Sequence, residues 1–318
     1  MPGQTTSPQT IGTMFGGATA ATFMGLPACA DIASTAAKAV ILGIPTATPY
    51  SSVGPYCADA PRAIRAAMAQ YAATRTHHDF DIGGPLLPSG IEIVDAGDLT
   101  LSADAAANRA LISAAIRAIR SAGAVPLVIG GDDSVPIPMF EAYAGQPRHT
   151  VLQIDAHIDW RHDVGGETMG LSSTMRRASE MAHIGRIIQV GQRGVGSARP
   201  SDVADAVAAG VQFVSAHQIH THGVGPVLDL IEPGSELLIA FDCDALDPAI
   251  MPGVIGRVPG GLSYWHAIEL LRGAAARARI VSFDLVEFMP SRDIDGMGAL
   301  VAGRIMANVA AIVARQPT

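Results

Sequence analysis

The chain has 318 residues, of which 49% are hydrophobic and 16% charged, and its formal net charge is −8. This length suits one large α/β domain with a substantial core, and the acidic balance without a basic cluster argues against a nucleic-acid surface. Three cysteines without paired-motif spacing argue against a disulfide framework and favour a reducing compartment. We therefore expect a cytoplasmic protein.

The first 36 residues differ in composition from the rest of the chain. Residues 1–36 are rich in Gly, Thr, Ala and Ser, which predicts an irregular N-terminal arm; disorder and packing on a neighbouring subunit are both open for it. No basic stretch followed by an apolar core stands at its start, so we expect no signal peptide. No apolar run approaches the length of a membrane span. Residues 37–318 are predicted to form a single catalytic domain.

From Ala37 onwards, apolar runs alternate with helical patterns. The predicted strands are 39–43, 91–95, 125–129, 151–155, 187–190, 212–214, 237–242 and 280–284. The predicted helices are 60–73, 103–122, 136–144, 171–181, 200–209, 226–231, 264–278 and 298–315. This alternation predicts an α/β fold, a three-layer sandwich with a mainly parallel central sheet covered by helices on both faces. In such sheets ligands bind at the C-terminal ends of the strands.

A glycine-rich turn follows the third predicted strand. The run Gly130-Gly131-Asp132-Asp133-Ser134 precedes a predicted helix, and its glycines allow a sharp turn that carries a side chain into a strand-end crevice. Taken alone, the run is more often a plain turn. It gains meaning only together with two acidic runs further along the chain.

The two acidic runs each follow a strongly apolar strand. They are Asp155-Ala156-His157-Ile158-Asp159 and Asp242-Cys243-Asp244. Because alternate side chains of an extended chain share one face, the acidic side chains of each run can converge. So many carboxylates repel one another unless cations lie between them. The pattern therefore predicts a binuclear metal centre in a hydrolytic enzyme.

At this point the chain resembles the ureohydrolase family of arginases, agmatinases and guanidino-acid hydrolases. The matching stretches are 130–134, 155–159, 191–194, 242–253, 259–263 and 284–287. The resemblance implies an arginase/deacetylase-like three-layer fold, two divalent metal ions per subunit bridged by hydroxide, and hydrolysis of a guanidino group to urea and an amine. It also implies a trimer or hexamer.

The resemblance assigns roles to individual positions. The implied metal ligands are Asp133, Asp155, His157, Asp159, Asp242 and Asp244. Glu287 matches the acid that receives the substrate guanidinium, and Asp244 is expected to relay a proton to the leaving amine. Asp247 is expected to shape its loop, and Cys243 to pack in the core.

Two positions depart from the family pattern. The family has histidine where this chain has Asp133; aspartate can still ligate Mn or Ni through oxygen, and the added negative charge favours a cationic substrate. Met169 stands where agmatinase-like sequences have a proton-shuttling histidine, and methionine cannot transfer a proton. His162, nearby in sequence, is the candidate catalytic replacement. The more distant histidines are His183, His217, His220 and His222.

The stretches 155–161 and 171–178 resemble a bacterial agmatinase-like branch, whose relatives include nickel-dependent hydrolases of guanidine or alkylguanidines. Trp160 and Met169 are predicted to form an apolar wall for the substrate. The expected substrate is a small guanidine, an alkylated guanidine or biguanide, or a compound such as agmatine or guanidinobutyrate. The choice between Mn and Ni stays open, as does a homo-oligomer against a hetero-oligomer with a paralogue.

Two other functions compete with this hypothesis. The chain could be a catalytically impaired scaffold subunit of a hetero-oligomeric ureohydrolase, since both a ligand position and the shuttle position are substituted. It could also be a metal-dependent amide hydrolase on the related deacetylase fold. Glu287 and the paired carboxylates of 242–247 favour a ureohydrolase.

Overall fold

The computed structural model describes residues 21–50 and 53–317. Within these residues, eight strands form one sheet in the order β2-β1-β3-β8-β7-β4-β5-β6, and every neighbouring pair is parallel. The strands are β1 (Ala39–Ile44), β2 (Ile93–Asp98), β3 (Val125–Gly130), β4 (His149–Ile154), β5 (Ile184–Val190), β6 (Gln212–Val214), β7 (Glu236–Asp242) and β8 (Arg279–Val286). The predicted three-layer α/β fold with a parallel sheet is confirmed.

Helices connect the strands. They are α1 (Ala60–Met68), α2 (Ala105–Ser121), α3 (Pro136–Glu141), α4 (Thr174–Ser179), α5 (Pro200–Ala208), α6 (Ala216–His222), α7 (Gly225–Leu230), α8 (Tyr264–Arg277) and α9 (Met297–Arg315). Proline stands in the first turn of α1, α3, α5 and α7, where its missing N–H costs no hydrogen bond. Local capping therefore sets where many of these helices begin.

The core lies on both faces of the sheet. Every residue of β1, β3 and β4 is buried, as expected for a parallel sheet covered on both sides. Along β1, Ile41 joins the apolar cluster on one face, whereas Val40 and Leu42 join the cluster on the other. This alternation leaves the C-terminal strand ends as the place where polar side chains gather.

Helix α9 is the longest apolar element. Within the described part of the chain it is the one helix long and apolar enough, by length and composition, to cross a membrane. The expectation that no apolar run reaches that length was therefore wrong. In α9, 72% of the apolar window is buried inside the fold, and Gly303 brings the helix close to Met68 and Ile64 of α1. Such burial is typical of a core helix.

The described part of the predicted N-terminal arm contacts the domain. The side chain of Phe23 is fully buried, and its backbone N–H donates to Asp95 Oδ2 at 2.7 Å. The same carboxylate forms a buried ion pair with Arg65, whose Nε lies 2.8 Å away. Residues 1–20 lie outside the described residues, and the domain boundary near residue 37 stays a prediction.

Candidate metal centre

Acidic side chains gather where four neighbouring strands end. Strands β3, β8, β7 and β4 are adjacent in the sheet, and they lead to Asp133, Glu287, Asp242 and Asp155 in turn. Two groups place their ligand atoms within 4.8 Å of one another: Asp133 with Asp155 and Asp242, and Asp155 with His157 and Asp244. Three loops that are far apart in sequence therefore supply the converging ligand atoms.

The turn after β3 depends on its glycines. A Cβ on Gly131 would overlap the backbone carbonyl of Thr46, so only glycine fits there. Asp132 accepts hydrogen bonds from Thr48 N–H and, at 2.6 Å, from Ser134 Oγ. Asp132 thus fixes the turn, which leaves Asp133 to enter the cluster.

The loop after β4 carries three of the predicted ligands. The backbone N–H of His157 donates to Asp155 Oδ1 at 2.6 Å, and Gln153 Nε2 donates to Asp155 Oδ2 at 2.6 Å and Asp159 Oδ2 at 2.7 Å. Asp159 has a positive φ of 43°, a backbone conformation that costs free energy outside glycine. Such strain at a functional loop indicates that its side-chain direction is imposed by the surroundings.

The loop after β7 supplies two more carboxylates. Asp242 Oδ1 accepts from Asp244 N–H at 2.6 Å, and Asp244 Oδ2 lies 3.0 Å from His157 Nδ1. Asp247 stands outside the cluster and accepts from the N–H groups of residues 249, 260 and 261, which fits the loop-shaping role expected for it. Cys243 is fully buried in the apolar core.

Glu287 lies beside the cluster at the end of β8. It is 3% exposed and adopts a φ of 65°. Its Oε1 accepts from the backbone N–H of Asp133 at 2.8 Å, and Tyr56 OH donates to Oε2 at 2.7 Å. Backbone and side-chain donors therefore hold this carboxylate in one orientation.

A sequence model of the arginase family matches residues 37–311. The chain belongs to the arginase family. A mitochondrial arginase of Medicago truncatula is 34% identical over 193 residues, which are 58% of this chain and 55% of that protein. Guanidinopropionase of Pseudomonas aeruginosa is 30% identical over 204 residues, or 62% of this chain and 64% of that protein. The matched stretches thus span only somewhat more than half of these curated relatives.

The match to a solved structure covers more of this chain than the sequence matches to these relatives do. Proclavaminate amidino hydrolase of Streptomyces clavuligerus superposes with a TM-score of 0.76 at 27% identity, over 93% of this chain and 97% of that one. The fold of an arginase-family amidino hydrolase is therefore present over nearly the whole chain.

The electrostatics of this arginase-family centre favour cations. Burial, followed by repulsion from neighbouring carboxylates, raises the pKa of Asp133, Asp159 and Asp242 well above the usual range for aspartate. Burial alone would lower the pKa of His157, but hydrogen bonds with Asp155 and Asp244 raise it to about 12. The cluster therefore holds protons unless positive charge replaces them.

The donor set fits divalent metal ions. Asp133 Oδ2 is buried without a hydrogen-bond partner among the described residues, as expected of an oxygen reserved for a ligand. Five carboxylates and one imidazole form a predominantly oxygen-donating set with one nitrogen donor, which suits ions such as Mn²⁺ and also accommodates Ni²⁺. The residues present therefore fit the two-ion centre of the family, and aspartate in place of the family histidine does not remove a donor.

A cleft of about 210 Å³ opens onto the cluster. Its lining includes five of the six predicted ligands, all except Asp155, together with Glu287 and Trp160. Trp160 is only 3% exposed and forms part of the apolar wall with Ile158 and Leu171. The predicted position of Trp160 beside the centre therefore agrees with the structure.

Two predicted site residues lie elsewhere. Met169 lines a separate small pocket against Ser134 and Pro138, so the structure does not bring it to the wall formed by Trp160. His162 is exposed and is absent from the residues that line the cleft in the described part of the chain. Arg161, its neighbour in sequence, does line the cleft, so the role of His162 in place of the family's proton-shuttling histidine stays a prediction.

Three residues that support the centre were not predicted from the sequence. Tyr56 reaches Glu287 from the connection between β1 and α1, where no motif marks it. Arg193 donates to the carbonyl oxygens of Asp244 at 2.7 Å and Ala245 at 3.1 Å and so supports the ligand loop. Gln153 could have been found from the sequence. It is a polar residue within an apolar strand, and because it stands two positions before Asp155, its side chain is expected on the same strand face as Asp155.

Proposed function

We propose that this chain is a metal-dependent amidinohydrolase that cleaves a guanidino C–N bond and releases urea, or a substituted urea, with ammonia or an amine. The observation that carries the proposal is the position of Glu287 in the same cleft as the ligand cluster. Relatives named arginase and guanidinopropionase, and the amidino hydrolase with the same fold, support this reaction class.

The residues that would hold the metal ions are Asp133, Asp155, His157, Asp159, Asp242 and Asp244. Two divalent ions bound by them would lower the pKa of a water molecule and polarise the guanidino carbon. The five carboxylates favour Mn²⁺, whereas the resemblance to nickel-dependent relatives favours Ni²⁺. We therefore propose Mn or Ni as the cofactor.

Glu287 anchors the substrate in this mechanism. Its carboxylate pairs with the guanidinium cation, and Asp133 N–H and Tyr56 OH keep it from rotating. A fixed anchor presents the central guanidino carbon to the ligand cluster, which lowers the entropic cost of the reaction. The net negative charge of the cluster also favours a cationic substrate over neutral urea.

Asp244 moves the proton. Asp244 lines the cleft, and its Oδ2 lies 3.0 Å from His157 Nδ1. A carboxylate at this position can take the proton that water loses and pass it to the leaving nitrogen. Trp160, Ile158 and Leu171 shield the reacting atoms from bulk water. The hydroxyl of water ends on the carbon, and its proton ends on the departing ammonia or amine.

The cleft favours a small substrate. About 210 Å³ suits guanidine, an alkylated guanidine, a biguanide or a short guanidino compound such as agmatine or guanidinobutyrate. In the outer part of the cleft Arg161 Nη1 pairs with Asp202 Oδ2 at 3.0 Å, so these two charges neutralise each other. This pairing ranks guanidine and alkylated guanidines above agmatine and guanidinobutyrate, whose tails are charged.

The scaffold-subunit alternative has less support. A subunit released from catalysis has no need to keep a strained Asp159 and a strained Glu287 in one cleft. The amide-hydrolase alternative lacks a reason for a guanidinium-pairing carboxylate at the end of β8.

We also propose a homo-oligomeric, cytoplasmic enzyme. Several large apolar side chains are exposed in the isolated chain, among them Val195, Ile294 and Met297. Burying them in a trimer or hexamer would remove apolar surface from water. Light scattering on the purified chain, alone and with any co-purifying paralogue, distinguishes a homo-oligomer from a hetero-oligomer.

The test is a substrate panel on protein loaded separately with Mn²⁺ and Ni²⁺. Release of urea, or of a substituted urea with its amine or ammonia, is measured from guanidine, dimethylguanidine, metformin, agmatine, guanidinobutyrate and arginine. The matched control is Glu287→Gln, which we expect to keep two ions per chain but to lose urea release by roughly 10²- to 10³-fold, because it keeps the shape and removes the charge that pairs with guanidinium. Metal-loaded wild-type protein that releases neither urea nor a substituted urea from any member of the panel would refute the proposal.

A further inference from the structure

Two fully buried glutamines lie directly beneath the ligand loop. Gln153 on β4 and Gln189 on β5 are partners in the parallel strand register, and both are 0% exposed. We call them the glutamine pair. Buried amides are costly unless their hydrogen bonds are satisfied, so their presence between apolar strand residues requires an explanation.

In the glutamine pair, Gln189 donates to Gln153, and Gln153 donates to the carboxylates. Gln189 Nε2 donates to the carbonyl oxygen of Ile158 at 2.9 Å and also to Gln153 Oε1. A backbone carbonyl only accepts hydrogen bonds, so the amide of Gln189 must face it with nitrogen. Gln153 then has its oxygen towards Gln189 and its nitrogen towards the carboxylates. The oxygen of Gln189 has no partner among the described residues, which shows that its two donors decide the orientation.

Both hydrogens of the Gln153 amide point at predicted metal ligands. Gln153 Nε2 lies 2.6 Å from Asp155 Oδ2 and 2.7 Å from Asp159 Oδ2. One neutral group therefore sets the separation of two carboxylates and occupies one oxygen of each. The second oxygen of each carboxylate stays directed away from the amide.

The chemistry of an amide suits this position. A lysine or arginine here would neutralise the carboxylates and compete with divalent ions, whereas an apolar residue would leave two buried charges to repel each other. An amide offers two donors and no charge. Gln189 adds a second point of support, because it holds the peptide that precedes the strained Asp159.

We propose that Gln153, supported by Gln189, is a positioning residue that holds Asp155 and Asp159 at the spacing needed to bind divalent ions. This inference rests on the proposed metal-dependent function, because it assigns the glutamine pair to the same centre. Removal of a group that orients ligands typically weakens metal binding by about 10- to 100-fold.

The test is calorimetric titration of Mn²⁺ into metal-free protein, which does not depend on turnover. Gln153→Leu removes both donors at similar volume, and we expect the Mn²⁺ Kd to rise by about 10- to 100-fold. Thr150→Val is the matched control: Thr150 is a buried residue of the same strand at its other end, and its variant should bind Mn²⁺ as the wild type does. The Mn²⁺ electron paramagnetic resonance spectrum should change in Gln153→Leu alone.

Gln189→Leu provides a second, milder variant in case Gln153→Leu does not fold. It keeps the donors of Gln153 but frees the amide to rotate, so we expect a weaker loss of about threefold to tenfold in Mn²⁺ affinity. Circular dichroism of the metal-free proteins checks the fold. Wild-type Mn²⁺ binding in folded Gln153→Leu or, where that variant does not fold, in Gln189→Leu overturns the inference, and so does an equal loss in Thr150→Val.

The outcomes separate this inference from the proposed function. If the glutamine variants show the expected loss of Mn²⁺ affinity but the wild-type protein releases no urea or substituted urea, the proposed function is refuted and the positioning role stays intact. Urea release with Mn²⁺ affinity unchanged by the glutamine substitutions refutes the positioning role alone. Wild-type protein that binds no divalent ion refutes both.

Discussion

Asp155 belongs to both groups of converging ligand atoms. Its fully buried carboxylate accepts hydrogen bonds from His157 N–H and Gln153 Nε2, both at 2.6 Å. It therefore joins the ligands contributed by β3 and β7 to those of its own loop. A substitution of this residue should therefore weaken metal binding at both positions.

We expect Asp155→Asn to reduce bound metal from two ions per chain to one or fewer and to lower urea release by roughly 10³-fold, because it removes charge where the two groups meet. Without metal the same variant should be more stable than the wild type, since one buried charge is lost. Metal content by mass spectrometry and the thermal midpoint in EDTA measure the two effects.

Asp247→Asn is the matched comparison. Asp247 belongs to the same acidic stretch but holds only backbone N–H groups of residues 249, 260 and 261. This variant should keep both ions and lower the thermal midpoint, because its amide accepts fewer hydrogen bonds. Loss of metal in Asp247→Asn, with full retention in Asp155→Asn, would reverse the assignment.

The protonation of the cluster predicts a pH dependence. Burial raises the pKa of Asp133, Asp159 and Asp242, whereas in the unfolded chain aspartate titrates near about 4. The stability that these groups give the metal-free protein is thus complete below about pH 4 and is lost as the pH rises through the raised pKa values. We expect the thermal midpoint of the metal-free protein to fall between pH 5 and pH 8.

Metal binding should show the opposite trend, because the ligands must lose their protons before they bind. The increase in thermal midpoint caused by Mn²⁺ should grow from pH 5 to pH 8. Titrations in two buffers with different ionisation enthalpies should detect released protons. An increase that does not change with pH, without proton release, would contradict the raised pKa values.

Individual side chains differed in how well the sequence predicted them. The predicted ligands in 155–159 and 242–244 stand where two buried strands end, and the ligand atoms of Asp155, His157 and Asp244 lie close together. The extended alternation expected for these runs is absent, because Asp159 has a positive φ and residues 243–245 form a 3₁₀ turn. Tyr56 was not predictable, because it reaches Glu287 from a connection whose path depends on tertiary packing. Met169 was placed wrongly because nearness in sequence to Trp160 says little about the direction of a side chain in a loop.

At the scale of elements, the turn after β3 gives the sharpest prediction. We expect Gly131→Ala to destabilise the protein by about 1–3 kcal/mol and to weaken metal binding, because the new Cβ would push the turn that carries Asp133 away from Thr46. Urea denaturation and Mn²⁺ titration measure the two effects.

Gly84→Ala is the control for this prediction. A Cβ at Gly84 meets nothing within 4 Å, so we expect a change in stability within about 0.5 kcal/mol and wild-type metal binding. Equal behaviour of the two alanine variants would show that the turn does not need glycine at position 131.

Strands were easier to predict than helices for a physical reason. Strands β1, β3, β4, β7 and β8 are short apolar runs that are buried almost throughout, so composition alone marks them. Helix α6 was missed because only Ala216 and Ile219 of its seven residues are buried, which gives no apolar stripe. Strand β2 was placed too early, since its C-terminal part at 96–98 is only partly buried and reads as a loop.

At the scale of the molecule, strand order creates the centre. Strands β3 and β8 are neighbours although about 150 residues separate them in sequence. Strands β4 and β7 are also neighbours and are not consecutive in the chain. Alternating patterns predicted a parallel sheet but not this order, because non-local pairing leaves no local signal. The resemblance in the motifs supplied what periodicity could not, namely which strand ends meet.

The most direct test of the central claim is a crystal structure of Mn²⁺-loaded protein with anomalous scattering measured at the manganese edge. We predict two manganese peaks per chain, with Glu287 facing the pair. The residues that contact them are Asp133, Asp155, His157, Asp159, Asp242 and Asp244. Carboxylates that turn away from one another, or that pair with lysine or arginine and leave no manganese peak, would contradict it.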